Sequence, residues 1–74
     1  MSKSVILYTR DGCGLCEQAS AMASSLGVDI APKDISRSVE LLERYGTSIP
    51  VLAVGERELF WPFRPDDIRD LLDS

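Results

Sequence analysis

The feature that most restricts the fold is the pair Cys13 and Cys16, which lies between a strand-like and a helix-like segment. These are the only cysteines among the 74 residues, and Gly14 and Leu15 separate them. The apolar run Val5–Thr9 precedes the pair, and a segment of helical periodicity follows it. A Cys-x-x-Cys at a strand-to-helix junction is typical of sites that exchange thiols and disulfides.

The spacing of the pair also favours chemistry over structure. If Cys13 opens the helix, its sulfur lies near free backbone N–H groups and the positive end of the helix dipole. Both favour the thiolate, which is the attacking species. The two thiols can close into a small disulfide ring, but this loop is too short to restrict the unfolded chain much. We therefore interpret the pair as reactive.

Length and charge exclude several functions. Residues 1–74 are enough for one small domain. The net charge is −4 and no lysine or arginine cluster occurs, which argues against nucleic-acid binding. The apolar runs are too short to span a bilayer, and the first five residues lack the apolar region and cleavage site of a signal peptide. We expect a cytoplasmic protein that does not enter membranes.

Periodicity predicts the element order β-α-β-α-β-β-α. Strands are predicted at Val5–Thr9, 28–35, Val51–Val54 and 59–61, and the second is an edge strand because Pro32 cannot donate to a ladder. Helices are predicted over 13–26, over 37–45 after a cap at Asp34 or Ser36, and from Pro65 onward. The expected inward stripes are Cys16, Ala19, Met22, Ala23 and Leu26 in the first helix, and Val39, Leu41, Leu42 and Tyr45 in the second.

This order predicts an α/β fold. Alternating strands and helices imply parallel strand pairs, and a final hairpin adds an antiparallel strand. We expect a four-stranded mixed sheet with helices on both faces. The two continuous apolar strands, Val5–Thr9 and Val51–Val54, should be neighbours at its centre.

With these elements in place, nearly the whole chain resembles a glutaredoxin-like member of the thioredoxin superfamily. Residues 8–16 resemble the strand-turn-Cys-x-x-Cys-helix of that family, and Ser48-Ile49-Pro50-Val51-Leu52 resembles its cis-proline segment. Residues 58–63 resemble the short bacterial glutaredoxin-like proteins more closely than they resemble the best-studied glutaredoxins. The resemblance implies a thioredoxin-like fold.

The resemblance also implies roles for individual residues. Cys13 is the nucleophile and Cys16 the resolving thiol. A cis bond between Ile49 and Pro50 places backbone groups of Ile49 beside Cys13. Arg10 occupies the place of a basic residue that helps bind glutathione in many glutaredoxins. The implied substrate-binding set is Arg10, Ile49, Pro50, Asp66 and Asp67, the last two as the acid at the start of the final helix.

Two stretches of the sequence depart from the glutaredoxin pattern. Glutaredoxins usually carry a Gly-Gly pair that grips the glutamyl end of glutathione, whereas residues 61–65 here read Trp-Pro-Phe-Arg-Pro. Gly14 and Leu15 stand between the cysteines in place of the family's Pro-Tyr or the Gly-Pro of thioredoxins.

The implied function is a monomeric thiol–disulfide oxidoreductase. Cys13 attacks a protein disulfide or a glutathionylated thiol, and Cys16 then releases the reduced product. No bound cofactor or metal is expected. Glutathione, as reductant or co-substrate, or a dithiol reductase would restore the pair.

Two alternatives stay open. One is a non-catalytic module that docks a protein partner near Pro50, Trp61 and Phe63, although the two aromatic residues are better explained as packing against the sheet edge. The other is a metal or iron–sulfur site. The pair supplies two ligands where tetrahedral zinc needs four, and without histidine a carboxylate such as Asp11 or a second subunit must supply the rest.

Overall fold

The computed structural model describes residues 4–73 of the chain. Its strands are β1 (Val5–Thr9), β2 (Ile30–Asp34), β3 (Val51–Val54) and β4 (Arg57–Phe60), and its helices are α1 (Gly14–Ser25), α2 (Val39–Tyr45) and α3 (Pro65–Asp73). A 3-10 turn over Ile35–Arg37 joins β2 to α2. This order confirms the prediction. Residues 1–3, part of the segment that lacks the features of a signal peptide, lie outside the described residues.

The four strands form one mixed sheet in the order β2-β1-β3-β4. Strand β1 pairs parallel with β2 and antiparallel with β3, and β3 pairs antiparallel with β4. The two continuous apolar strands are therefore the central pair, as predicted. Strand β2 lies at an edge with Pro32 exposed, since a residue without an N–H group is tolerated there.

Helices cover both faces of the sheet. The larger core cluster packs α1 and α3 against the central strands, and its buried members are Val5, Leu7, Ala19, Ala23, Leu52, Phe63, Ile68 and Leu71. The smaller cluster lies on the opposite face beneath α2 and is built on Ile35, Tyr45 and Val51. Between residues 4 and 73, no helix is both long and apolar enough to cross a membrane.

Helix α2 departs from the predicted pattern. It starts at Val39 because Ser38 Oγ accepts the Leu41 N–H at 3.3 Å, while Asp34 caps only the 3-10 turn. Val39 and Leu42 were expected to face inward, but they are 73% and 37% exposed. This seven-residue helix reaches the sheet only through the side that carries Leu41 and Tyr45, which lie one turn apart.

Candidate active site

Cys13 is the N-cap of α1, which confirms that the motif opens the helix. Its backbone is extended, and its Sγ accepts the N–H of Cys16 at 3.1 Å. Its carbonyl accepts the N–H of Glu17 at 3.3 Å. The sulfur thus lies at the helix N-terminus, where the Cys16 N–H and the helix dipole both favour negative charge.

The two cysteines form a disulfide, and their environments differ. Their Cα atoms are 5.2 Å apart. Cys13 is half-buried, whereas Cys16 is only 3% exposed and belongs to the inward stripe of α1. A large partner can therefore reach Cys13 from solvent, while Cys16 is placed to react with Cys13.

The start of β3 lies beside the strand that leads to Cys13. The Ile49–Pro50 peptide is cis, as the resemblance implied. Tyr8 pairs with Val51, so the end of β1 and the start of β3 are neighbours. The Pro50 side chain is fully buried, and the Pro50 backbone carbonyl accepts the Trp61 N–H at 3.3 Å. Of Ile49 and Pro50, only Ile49, which is half-buried, keeps part of its side chain exposed.

A cavity of about 250 Å³ opens beside the disulfide, between α1 and the β1–β2 edge of the sheet. Both cysteines line it, together with three charged residues, Arg10, Asp11 and Glu17. The other lining residues are Leu7, Thr9, Gly12, Ser20 and Pro32. The structure therefore brings Arg10 to the same cavity as Cys13. Sequence reasoning missed Glu17, although its position four residues after Cys13 signals a shared helix face.

Asp66 and Asp67 have the contacts of a helix start. The Asp67 carboxylate accepts the Arg64 N–H at 2.8 Å, and Asp66 Oδ1 lies 3.2 Å from Arg69 Nη1. Neither residue lines the cavity beside Cys13. Both carboxylates lie in the first turn of α3, where the helix dipole favours negative charge.

The aromatic residues after β4 pack against the larger core. Phe63 is 4% exposed, and half-buried Trp61 meets it edge-to-face with 5.0 Å between ring centroids. Both aromatic residues therefore pack against the rest of the protein, but Phe63 lies in the larger core and not at the sheet edge. The Trp61–Pro62 peptide is also cis, and the sequence analysis did not anticipate this.

A second group of side chains, on the α2 face, was also missed. The Tyr8 and Tyr45 rings stack with centroids 4.2 Å apart, and the Tyr45 hydroxyl donates to Glu58. Arg44 pairs with Glu58 at 3.4 Å. Burial of Tyr45, followed by this hydrogen bond to Glu58, raises the pKa of Tyr45 well above its ordinary value. The group ties the end of β1 to α2 and β4.

Residues 4–73 contain no group of three or more cysteine, aspartate or glutamate side chains that could hold a metal ion.

Known proteins resemble this chain over most of its length. Residues 4–73 match the family described as Glutaredoxin-like domain (DUF836). The X-ray structure of target protein XcR50 from X. campestris is 35% identical, with 93% of this chain and 95% of that chain covered and a TM-score of 0.84.

Two further similar structures are those of a glutaredoxin-like protein and of a glutaredoxin. The glutaredoxin-like protein NrdH-redoxin from Escherichia coli is 27% identical, with 96% and 97% of the two chains covered and a TM-score of 0.72. Glutaredoxin from Brucella melitensis is 31% identical, with 97% and 80% covered and a TM-score of 0.67. Because residues 4–73 match the family model, and the sheet and the Cys13–Cys16 pair agree with it, the chain belongs to the glutaredoxin-like domain family of the thioredoxin superfamily.

Proposed function

We propose that this protein is a dithiol–disulfide oxidoreductase that reduces protein disulfides or glutathione mixed disulfides through Cys13 and Cys16. The glutaredoxin-like fold and the cysteine pair support thiol–disulfide redox function in general. One observation carries the more specific proposal: half-exposed Cys13 caps α1 while Cys16, one turn later, is buried. This is the arrangement that a nucleophile and a resolving thiol require.

The reaction proceeds in two exchanges. The Cys13 thiolate attacks one sulfur of the substrate disulfide, and the other substrate sulfur leaves and takes a proton. Cys16 then attacks Cys13 Sγ, which breaks the mixed disulfide and releases the second substrate thiol. The protein ends with a Cys13–Cys16 disulfide, and two electrons have passed to the substrate. Arg10 and the backbone of Ile49 and Pro50 would hold the substrate beside Cys13.

The proposed reductant is glutathione or a dithiol reductase. The Escherichia coli structure is described as showing a thioredoxin-like activity profile for a glutaredoxin-like protein, which supports including the second possibility. Asp66 and Asp67, which would hold glutathione by family resemblance, already contact Arg69 and Arg64. We place the activity in a reducing compartment such as the cytoplasm, where the pair would be returned to the dithiol.

The docking-module alternative receives less support from the structure. Pro50 and Phe63 are buried, so two of the three side chains assigned to that surface are not available to a partner. Trp61 is half-buried and packs against the larger core.

Trapping experiments test the proposal directly. Reduced Cys16→Ser protein, mixed with a glutathionylated peptide or a disulfide-bonded protein, should accumulate a mixed disulfide on Cys13 that intact mass measures. Cys13→Ser should form no adduct and show no turnover on a substrate that needs both thiols. Full turnover by Cys13→Ser would overturn the assignment.

The same substrates separate the two reductants. NADPH consumption is followed with glutathione and its reductase in one arm, and with thioredoxin reductase in the other. Sustained consumption in either arm supports the oxidoreductase and identifies its reductant. If neither system reduces the Cys13–Cys16 disulfide, the oxidoreductase proposal fails.

A further inference from the structure

We propose that Glu17 is the base that accepts the proton of Cys16 when Cys16 resolves the mixed disulfide. This inference rests on the proposed function and names a catalytic residue for its second step. It concerns a residue outside the Cys-x-x-Cys motif.

The need for a base follows from the different surroundings of the two sulfurs. The first-turn N–H of Cys16 is donated to Cys13 Sγ, which supports negative charge on Cys13. Cys16 is 3% exposed, and burial in apolar surroundings disfavours its thiolate. The chain has no histidine to take the proton. The resolving attack therefore needs another acceptor close to Cys16.

The cavity beside the disulfide supplies that acceptor. Cys13, Cys16 and Glu17 all line it. Glu17 follows Cys16 directly in α1, and its N–H donates to the Cys13 carbonyl at 3.3 Å, so its backbone is fixed in the first turn. Glu17 is exposed and thus borders the same solvent-accessible cavity as the two cysteines.

Other charged groups lie in the turn that borders this cavity or close to that turn. Arg10 and Asp11 line the cavity from the turn before Cys13, and Asp34, at the end of β2, is close enough to Arg10 for an electrostatic interaction. The Arg10 guanidinium has no acceptor atom and so cannot take the proton. Asp34 already accepts hydrogen bonds from Ser36. Asp11 is the competing carboxylate, but it lies outside the helix that holds Cys16.

The step balances without a further reactant. Cys16 S–H gives its proton to the Glu17 carboxylate while its sulfur forms a bond to Cys13 Sγ. The bond from Cys13 Sγ to the substrate sulfur breaks, and the electron pair leaves with the substrate as a thiolate. That thiolate takes the proton from Glu17, which restores the carboxylate and releases a neutral thiol.

A purely electrostatic role for Glu17 gives the opposite result. A negative charge beside the sulfurs disfavours both thiolates, so removing that charge would raise the thiolate fraction and speed the reaction at low pH. Removing a base would slow the resolving step at low pH. Without a base, the rate of the resolving step would follow the fraction of Cys16 that is thiolate. At pH values where Cys16 is mostly protonated, this fraction falls about tenfold per pH unit.

Stopped-flow kinetics with an excess of a coloured aryl disulfide separate the two exchanges. The first thiol is released at a rate that depends on reagent concentration, which reports attack by Cys13. The second is released at a concentration-independent rate, which reports resolution by Cys16. For Glu17→Gln at about pH 6 we expect the second phase to slow by about tenfold, with a steeper pH dependence, and the first phase not to slow.

A matched variant controls for the loss of one carboxylate. Glu40→Gln makes the same change at an exposed position in the first turn of α2, and both phases should stay as in the unsubstituted protein. Equal thermal midpoints would show that both variants are folded.

Three results would overturn the inference: an unchanged or faster second phase in Glu17→Gln, an equal loss in Glu40→Gln, or a larger loss in Asp11→Asn. Failure of the proposed function would look different, because the unsubstituted protein would then lack a second phase, or Cys13→Ser would keep the first.

Discussion

Cys13 and Cys16 share one turn of helix and yet differ in exposure. This contrast was predictable in part, because the position of Cys13 between a strand and a helix is a local property of the sequence. The cavity beside the pair was not predictable. Glu17 on α1 and Pro32 on β2 both line it, and Pro32 reaches this place because β2 pairs parallel with β1.

Arg10 offers a test of the electrostatics at Cys13. Both residues line the same cavity, so the guanidinium should raise the thiolate fraction of Cys13. In Arg10→Gln we expect the reduced protein to be alkylated at Cys13 about two- to fivefold more slowly at neutral pH, a modest effect because Arg10 is exposed. The difference should shrink as salt is added.

Arg69→Gln is the matched control, since Arg69 is exposed on α3 and pairs with Asp66. Its alkylation rate should equal that of the unsubstituted protein. An Arg10 variant that reacted at the same rate at low salt would show that Arg10 does not act on Cys13.

Helix α2 shows where pattern reasoning at the scale of an element stops. Asp34 and Ser36 were the predicted caps, and Ser38, which caps α2 in the structure, is also a good capping residue. The choice depends on tertiary pairing: Asp34 is still opposite Thr9 in the sheet, and α2 can begin only after that strand ends. Helix α2 therefore starts later than predicted, and Val39 and Leu42 lie on its exposed side.

The contact between α2 and β4 predicts a loss of stability at high pH. Burial and the hydrogen bond to Glu58 raise the pKa of Tyr45 in the folded state, so folding favours the neutral phenol. The resulting stabilisation is complete below about pH 10, where tyrosine in the unfolded chain is neutral, and is lost as the pH rises further.

Urea unfolding across this pH range measures the effect against Tyr45→Phe. The free energy of unfolding should fall more steeply with pH in the unsubstituted protein, so the difference between the two proteins should change as the pH passes about 10. If the free energy of unfolding fell equally with pH in the two proteins, the folded state would not raise the pKa of Tyr45.

At the scale of the whole molecule, strand and helix alternation was enough to predict the mixed sheet. The two continuous apolar strands became its central pair because only strands covered on both faces can be apolar throughout. Chain order alone could not assign helices to faces. The face shared by α1 and α3 depends on packing that includes Phe63, a residue with no periodic signal.

Leucine truncation tests this layout. Leu52 in β3 is fully buried, whereas Leu42 in α2 is 37% exposed. Leu52→Ala should lower the free energy of unfolding by about 2–5 kcal/mol because it leaves a cavity in the core. Leu42→Ala makes the same chemical change and should cost less than about 1 kcal/mol. Equal losses in urea unfolding would show that the assigned core is wrong.

The central claim is that Cys13 and Cys16 form a working redox couple. Equilibration of the protein in thiol–disulfide buffers of known potential, followed by alkylation and mass measurement, tests this most directly. We expect the Cys13–Cys16 pair to show a reversible two-electron transition between about −200 and −270 mV, the range of glutaredoxins and thioredoxin. A disulfide that stays closed below about −300 mV, as structural disulfides do, would contradict it.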